Sequence, residues 1–214
     1  MSKVAVLGSG QVGQVLAEGF LGLGDEVMRA SRDPAKLADW KQRNPTAKTG
    51  TFAEAAAWAD IVVLAVKGRA AEEALDLAGI GNLAGKIVID ATNPISEKPP
   101  TNGVLSFFTS LDESLMERLQ RKAPQARFVK AFSCVGNAFM VKPSFPGGPP
   151  TMFICGNDKA AKEEVTKILD RFGWETADMG TVEAARAIEP LCMLWCIPGI
   201  AGGSWSHAFK LLRL

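Results

Sequence analysis

The sequence predicts an α/β fold, a doubly wound and mostly parallel sheet, on three observations. Short β-branched runs alternate with helical patterns from the first residues, a glycine-rich turn joins the first strand to the first helix, and the composition is that of a folded chain. Of 214 residues, 47% are apolar and 22% are charged, far from the polar profile of disorder. A chain of this size buries roughly 70% of the surface its unfolded form exposes and needs no covalent staple. With 24 basic and 23 acidic residues the net charge is +1, so there is no electrostatic footprint for nucleic acid or an anionic membrane.

The elements follow in order. Val4 to Leu7 is the first strand, and Val12, Val15, Leu16, Gly19, Phe20 and Leu23 carry the spacing of a helix packed on one side, ended by Gly24. Glu26 to Ala30 reads as the second strand. Asp33-Pro34 then opens a helix with Asp at the N-cap and Pro at the first helical position. A third strand is expected around Thr49 to Thr51, where Thr51 and Glu54 fit a capping box before Ala55 to Trp58. Ile61 to Ala65 is a continuous apolar run of the kind buried on both faces of a parallel sheet. Ala70 to Leu77 is helical and Lys86 to Asp90 is a further buried strand. Ser110 with Glu113 suggests a second capping box ahead of Leu111, Leu115, Met116 and Leu119, and Arg127 to Phe132 returns as a strand.

Beyond the Pro/Gly-rich loop Lys142 to Pro150 come a strand at Thr151 to Cys155, a helix carrying Val165, Ile168, Leu169 and Phe172, and a strand at Glu175 to Asp178. This extension, 151–214, is too short for a core of its own. A single domain over 1–214 is therefore expected, with its core in 1–141, the late strands extending the same sheet, and the Leu191 to Trp195 region covering a cleft or a dimer surface. The apolar stretch Pro190 to Gly203 contains two prolines and falls short of the roughly 20 residues of a spanning helix. No signal-peptide pattern precedes Val4, and a cytoplasmic location is the expectation. Four cysteines (Cys134, Cys155, Cys192, Cys196) without CxxC spacing and a lone histidine suggest neither a disulfide framework nor a metal cage. Cys192 and Cys196, four apart on a helix face, read as small buried apolar residues.

Gly8-Ser9-Gly10-Gln11-Val12-Gly13 is a GxGxxG. With glycine at 21 of 214 positions, chance alone yields the pattern in about one such chain in five. Its placement is what gives it weight, because it follows the first strand directly and opens an amphipathic helix. Gly8 permits the tight turn, Gly10 admits a pyrophosphate to the backbone, and Gly13 lets helix and strand approach, while the unpaired N–H groups at the helix start meet the phosphate charge. At the end of the second strand, where an acidic residue commonly binds the ribose hydroxyls of NAD, the chain has Ala30-Ser31-Arg32. A hydroxyl donor, a guanidinium and Lys36 one turn on suit a 2′-phosphate, and NADP is the predicted cofactor. Asp33 is assigned to helix capping.

Three loops leave the carboxyl edge of the sheet, where ligands of such folds lie: Ala65-Val66-Lys67-Gly68, Ala91-Thr92-Asn93-Pro94-Ile95 and Phe132-Ser133-Cys134-Val135-Gly136. Asn93 could donate to a nicotinamide ribose or carboxamide, although Asn-Pro is also an ordinary turn. No acid-base pair emerges. His207 lies near the C-terminus, Ser133 lacks a GxSxG context, and Cys134 has no identified base. Hydride transfer to a flavin-like ring tolerates this, since it depends mainly on holding two rings face to face.

Val4 to Gly13, Ser31-Arg32-Asp33, Asp90-Ala91-Thr92-Asn93-Pro94, Val129-Lys130-Ala131-Phe132 and Ala187-Ile188-Glu189-Pro190-Leu191 together resemble the NADP oxidoreductases dependent on coenzyme F420, a family related to the cytosolic domains of STEAP metalloreductases. The resemblance covers nearly the whole chain. It implies a Rossmann NADP-binding fold, reversible hydride transfer between NADPH and F420 or a flavin such as FMN or FAD, and a homodimer built through the C-terminal helices. It also implies that Gly8 to Gly13, Ser31, Arg32 and Lys36 bind the cofactor, with Ala65 and Val66 beside it. Asn93 and Pro94 join that set from the carboxyl-edge reading. Lys67 departs from the family pattern, which tends to proline there, and changes shape and charge at the mouth of the nicotinamide pocket. Two other readings share the cofactor site: an NADPH-dependent reductase of another small carbonyl, imine or quinone, and a non-catalytic NADP-binding sensor.

Overall fold

The computed structural model describes residues 1–213. The N-terminal part alternates strand and helix: β1 (Lys3–Leu7), α1 (Gln11–Gly22), β2 (Glu26–Ala30), α2 (Ala38–Arg43) after a short 3-10 turn, β3 (Lys48–Gly50), α3 (Phe52–Trp58), β4 (Ile61–Leu64), α4 (Ala71–Ala78), α5 (Ile80–Leu83), β5 (Ile87–Asp90), α6 (Leu115–Lys122) and β6 (Arg127–Lys130). The strands pair in parallel in the order β3-β2-β1-β4-β5-β6. Strand order reverses between β1 and β4, and that switch point is where a crevice opens above the carboxyl edge.

Side-chain alternation along the strands divides the core in two. Val4, Val6, Val27, Val63, Ile89 and Val129 face α1, where Leu16, Ala17 and Phe20 form the buried stripe predicted for that helix. Ala5, Leu7, Val62, Leu64, Val88 and Phe128 face α3, α4 and α6 on the opposite side. Both faces of β4 and β5 are covered, which is why these strands read as unbroken apolar runs.

The capping signals fared differently. Asp33 accepts from the Ala35 amide as expected, capping the 3-10 turn Pro34–Leu37, and Thr51 with Glu54 forms the full reciprocal box at α3. The Ser110 and Glu113 box does not form. The box is one turn later, between Ser114 and Glu117, because Leu115, Met116 and Leu119 are the residues the core can bury while Leu111 is 74% exposed. Glu113 instead pairs with Arg118 and Arg121.

The C-terminal segments are β7 (Thr151–Ile154), α7 (Lys159–Arg171), β8 (Glu175–Asp178) and α8 (Ala185–Gly202). β7 and β8 do not extend the main sheet. They form a separate parallel pair, joined to it by one antiparallel bridge between Lys130 and Cys155. Phe132, at a φ of +62°, turns the chain at the end of β6. Val165, Ile168, Leu169 and Phe172 of the α7 region join the α1-side core nevertheless.

α8 runs through both Pro190 and Pro198. The two prolines do not break it, because Ile188, Cys192, Trp195 and Gly199 are buried at helical spacing, and that packing offsets a cost of roughly 3 kcal/mol per internal proline. With its leading turn the helix spans Val182–Gly202, which is long and apolar enough to cross a membrane by length and composition; the expectation that it is too short is corrected. Glu189, in its first half, is buried and ion-paired to Lys130 of the sheet, so that half is fastened to this core. The tail after it runs along β7, with the Thr151 amide donating to the Phe209 carbonyl.

Glu117 also binds Arg186 of α8, whose Nη2 lies 2.6 Å from Oε1. Arg186 and the Ser114 cap hold the Glu117 carboxyl down at about 2, from an ordinary 4.5. A depressed carboxyl adds stability above its unfolded value and loses it as pH falls through the folded one. Wild type is therefore expected to lose thermal stability relative to Glu117→Gln as pH drops from about 4.5 to about 2. A gap between the two that stays constant over that range removes Glu117 as the cause.

Candidate functional site

The crevice at the switch point is a cleft of about 520 Å³ lined by Gly8 to Val12, Ser31, Arg32, Phe52, Ala65, Val66, Lys67, Arg69, Ala70, Glu73, Ala74 and Ala91. Four strand ends meet there: β1 supplies the glycine loop, β2 the Ser-Arg pair, β4 the Ala65 to Lys67 loop and β5 Ala91. The loop is tied down by the Gly8 amide donating to the Ala30 carbonyl and the Ala65 amide donating to that of Leu7, each at 2.9 Å.

Its three glycines have different reasons. A Cβ on Gly8, whose φ is +152°, would stand 2.2 Å from the Ala65 carbonyl oxygen, and one on Gly13 would stand 2.5 Å from that of Gly8. Both are demanded by the protein's own backbone. Gly10 has an ordinary extended backbone, φ −79° and ψ 179°, and a Cβ there would meet nothing within 4 Å. The fold does not need glycine at 10. A ligand that lies against the backbone does, and the α1 N-terminus beside it, with no side-chain cap, leaves amide donors for an anion. The chain's own geometry thus fits a dinucleotide pyrophosphate.

At the β2 end, Ser31 is buried and its Oγ accepts from the Asp33 amide at 3.2 Å, which leaves its hydroxyl proton to donate. Arg32 is exposed and pairs with Glu73 at 3.3 Å. Glu73 of α4, on the other wall of the cleft, was not evident in the sequence because its distance from Arg32 along the chain hides the contact. Lys36 is exposed on the 3-10 turn Pro34–Leu37 and is not among the residues that line the cleft. Gly13 supports the loop from behind.

A second cavity of about 360 Å³ adjoins the first and shares Val66, Lys67, Arg69 and Ala91 with it. Gly68, Asn93, Ile95, Ser96 and Glu97 complete its lining, and Arg69 pairs with Glu97 across it. Asn93 uses one of its two Nδ2 N–H groups on the Ser133 carbonyl at 3.0 Å, which leaves the second as a donor, and its Oδ1 is a buried acceptor without a partner. Ser133 Oγ is likewise buried and unpartnered. Pro94 lines neither cavity. Its carbonyl accepts from Phe108, holding the 95–108 excursion in place.

Beneath these loops lies a fully buried ion cluster. Lys130 Nζ is 2.7 Å from Asp90, 2.9 Å from Glu189 and 2.9 Å from the Thr92 carbonyl. Burial alone would lower the ammonium, but the two carboxylates outweigh it and hold the group above its ordinary value. Glu189 in turn accepts from the amides of Leu115 and Met116, so the N-terminus of α6 shares the excess negative charge.

No acid-base dyad assembles among the described residues. The Cys134 thiol is buried and pushed up to about 12, hence neutral and unreactive. His207 stacks on Trp195, with Nε2 2.9 Å from the Trp195 carbonyl. Trp195 itself packs on Gly136, so α8 does cover the loop that follows β6.

Fold and cleft define a dinucleotide-binding domain of the Rossmann class. A family model described as NADP oxidoreductase, coenzyme F420-dependent, matches residues 3–94. A solved protein from Arthrobacter sp. FB24, assigned as an F420-dependent NADP-reductase, is 35% identical, covers both chains fully and superposes with a TM-score of 0.93. The chain belongs to this NADP oxidoreductase family. The rat metalloreductase STEAP3 is 30% identical over 201 residues, 92% of this chain, which spans only 38% of that protein's length. An imine reductase from Aspergillus terreus solved with NADPH4, 18% identical and with a TM-score of 0.68 over 95% of this chain and 63% of its own, shares the fold.

Proposed function

We propose that the protein transfers a hydride between NADPH and coenzyme F420 or a related flavin. The observation that carries this reading is one continuous cleft running from Ser31 and Arg32, across the open Gly10, to a second cavity beyond Ala91. In this reading the 2′-phosphate meets Ser31 and Arg32, the pyrophosphate meets the amides at the start of α1, and the nicotinamide end lies toward Ala65, Val66 and Ala91. Asn93, which lines the second cavity and whose Oδ1 lacks a partner, suits the nicotinamide carboxamide as acceptor for its N–H.

NADPH supplies the hydride from its reduced ring, and the acceptor takes that hydride together with one proton. The residues hold the rings and exclude water, and the absence of a positioned acid fits an acceptor that is protonated from solvent. The apolar side chains Leu194 and Ile200, exposed on α8, support a homodimer through this helix. Four unpaired cysteines support a reducing compartment such as the cytoplasm.

Arg32 should exchange Glu73 for the 2′-phosphate on binding. A charge-assisted hydrogen bond is worth about 1.5 to 3 kcal/mol, so Arg32→Ala is expected to weaken NADPH roughly 10- to 150-fold and to leave NADH nearly unchanged. Equal losses for both would remove Arg32 from the 2′-phosphate site. The acceptor is tested by following NADPH oxidation with F420, FMN and FAD, then with carbonyls, imines and quinones. Turnover with the first group is expected; turnover only with the second overturns the flavin-type acceptor, and tight NADPH binding without any turnover indicates a sensor.

A further inference from the structure

Arg29 occupies a place where the fold calls for an apolar residue. It alternates with Val27 on the face of β2 turned to α1, a face filled by Leu16, Phe20, Val27 and Trp40, and it is only 2% exposed. Its Nε donates to the Gly8 carbonyl at 3.2 Å and its Nη2 to the Gly10 carbonyl at 2.9 Å. The guanidinium lies 5.3 Å from the centre of the Trp40 ring. Among the described residues no carboxylate forms an ion pair with it, and Glu18 acts on it only at longer range. A buried cation without a counter-ion is costly, and nothing in the surrounding apolar packing requires one.

We propose that Arg29 is a positioning residue of the phosphate loop, which aims the loop's amides at the ligand and whose unpaired charge is neutralised by a bound pyrophosphate. This rests on the NADP reading given above. In a trans peptide the C=O and the following N–H point in opposite directions within one plane. Drawing the carbonyls of Gly8 and Gly10 down onto the guanidinium therefore turns the amides of Ser9 and Gln11 upward, and both residues line the cleft. The Arg29 bond stops the Gly8 carbonyl from rotating toward an anion, and at Gly10 it adds to the first backbone bond of α1, from the Gln14 amide at 3.0 Å. The cation itself lies behind the α1 N-terminus, where its field adds to that of the helix. Since pyrophosphate is common to both coenzymes, Arg29 serves NADPH and NADH alike, unlike Arg32.

The test compares Arg29→Met, Arg29→Lys and Arg32→Ala by calorimetric titration with NADPH and NADH, and by the rise in melting temperature that each coenzyme causes. Arg29→Met is expected to weaken both coenzymes by the same factor, about tenfold or more, and to shrink the coenzyme-induced rise, while the ligand-free protein melts no lower than wild type. Arg29→Lys, which keeps the charge without the two-pronged donor, is expected to recover part of the affinity. Wild-type affinity in Arg29→Met overturns the proposal, as does a loss of ligand-free stability with unchanged affinity. If Arg29→Met does not fold, Arg29→Gln replaces it in the same comparison with the same deciding outcomes. A wild-type protein that binds neither coenzyme would instead overturn the NADP reading itself.

Discussion

Gly10→Val is expected to abolish measurable coenzyme binding while the protein remains folded. Nothing stands within 4 Å of a Cβ at this position, and its backbone angles suit any L-residue. The added isopropyl group would fill the space where a pyrophosphate must touch the loop, holding the anion off the amides of α1. Losing two or more charge-assisted hydrogen bonds of about 1.5 to 3 kcal/mol each implies a drop in affinity of at least about 100-fold. Gly8→Val and Gly13→Val lose binding for another reason, because each collides with backbone at 2.2 and 2.5 Å. Urea denaturation beside NADPH titration separates them: Gly10→Val should keep the wild-type midpoint and the other two should not. Near-wild-type NADPH affinity in Gly10→Val would mean that the loop does not hold the phosphates.

The second large effect concerns the fold beneath the site. Lys130→Met is expected to cost about 3 to 5 kcal/mol, because it leaves Asp90 and Glu189 facing each other in a dry interior. Both carboxylates are essentially inaccessible, and Lys130 is the cation that lies between them. The pair could then escape only by taking up a proton, so the deficit should shrink as pH is lowered. The combined variant Asp90→Asn, Lys130→Met, Glu189→Gln removes the charges together and should recover much of the loss. Denaturant unfolding of both variants checks this, and a single substitution as stable as wild type would show that the cluster is not the bolt between β5, β6 and α8. Because Lys130 also grips the Thr92 carbonyl, the loop bearing Asn93 should loosen in the same variant.

Much of this could be read along the chain. The parallel βαβ alternation rests on local periodicity, and β1, α1, β2, β4 and β5 came out within a residue or so of where apolar spacing puts them. The phosphate loop and the Ser31-Arg32 pair needed only adjacency, since each lies within one strand-to-turn junction. The features that differ from expectation depend on what meets what. Ser110 and Ser114 carry equivalent capping patterns, and only burial of Leu115 and Met116 selects the later one. Asn93 has an amide in either case, and only the folded chain shows that the Ser133 carbonyl takes one of its two N–H groups. Arg29 could have been noticed as a charge at a strand position matched to Val27, yet its partners Gly8 and Gly10 come from another strand end.

Sequence alone determined the fold class, the glycine loop and the replacement of an acidic residue by Ser31-Arg32, because those features are written in short-range spacing and residue chemistry. Tertiary structure alone decided that β7 and β8 form their own pair, that Glu73 sits opposite Arg32, and that Lys130 is clasped between Asp90 and Glu189. Those outcomes depend on distances between segments tens of residues apart. Chain connectivity does not encode such distances until both faces of the sheet have been packed.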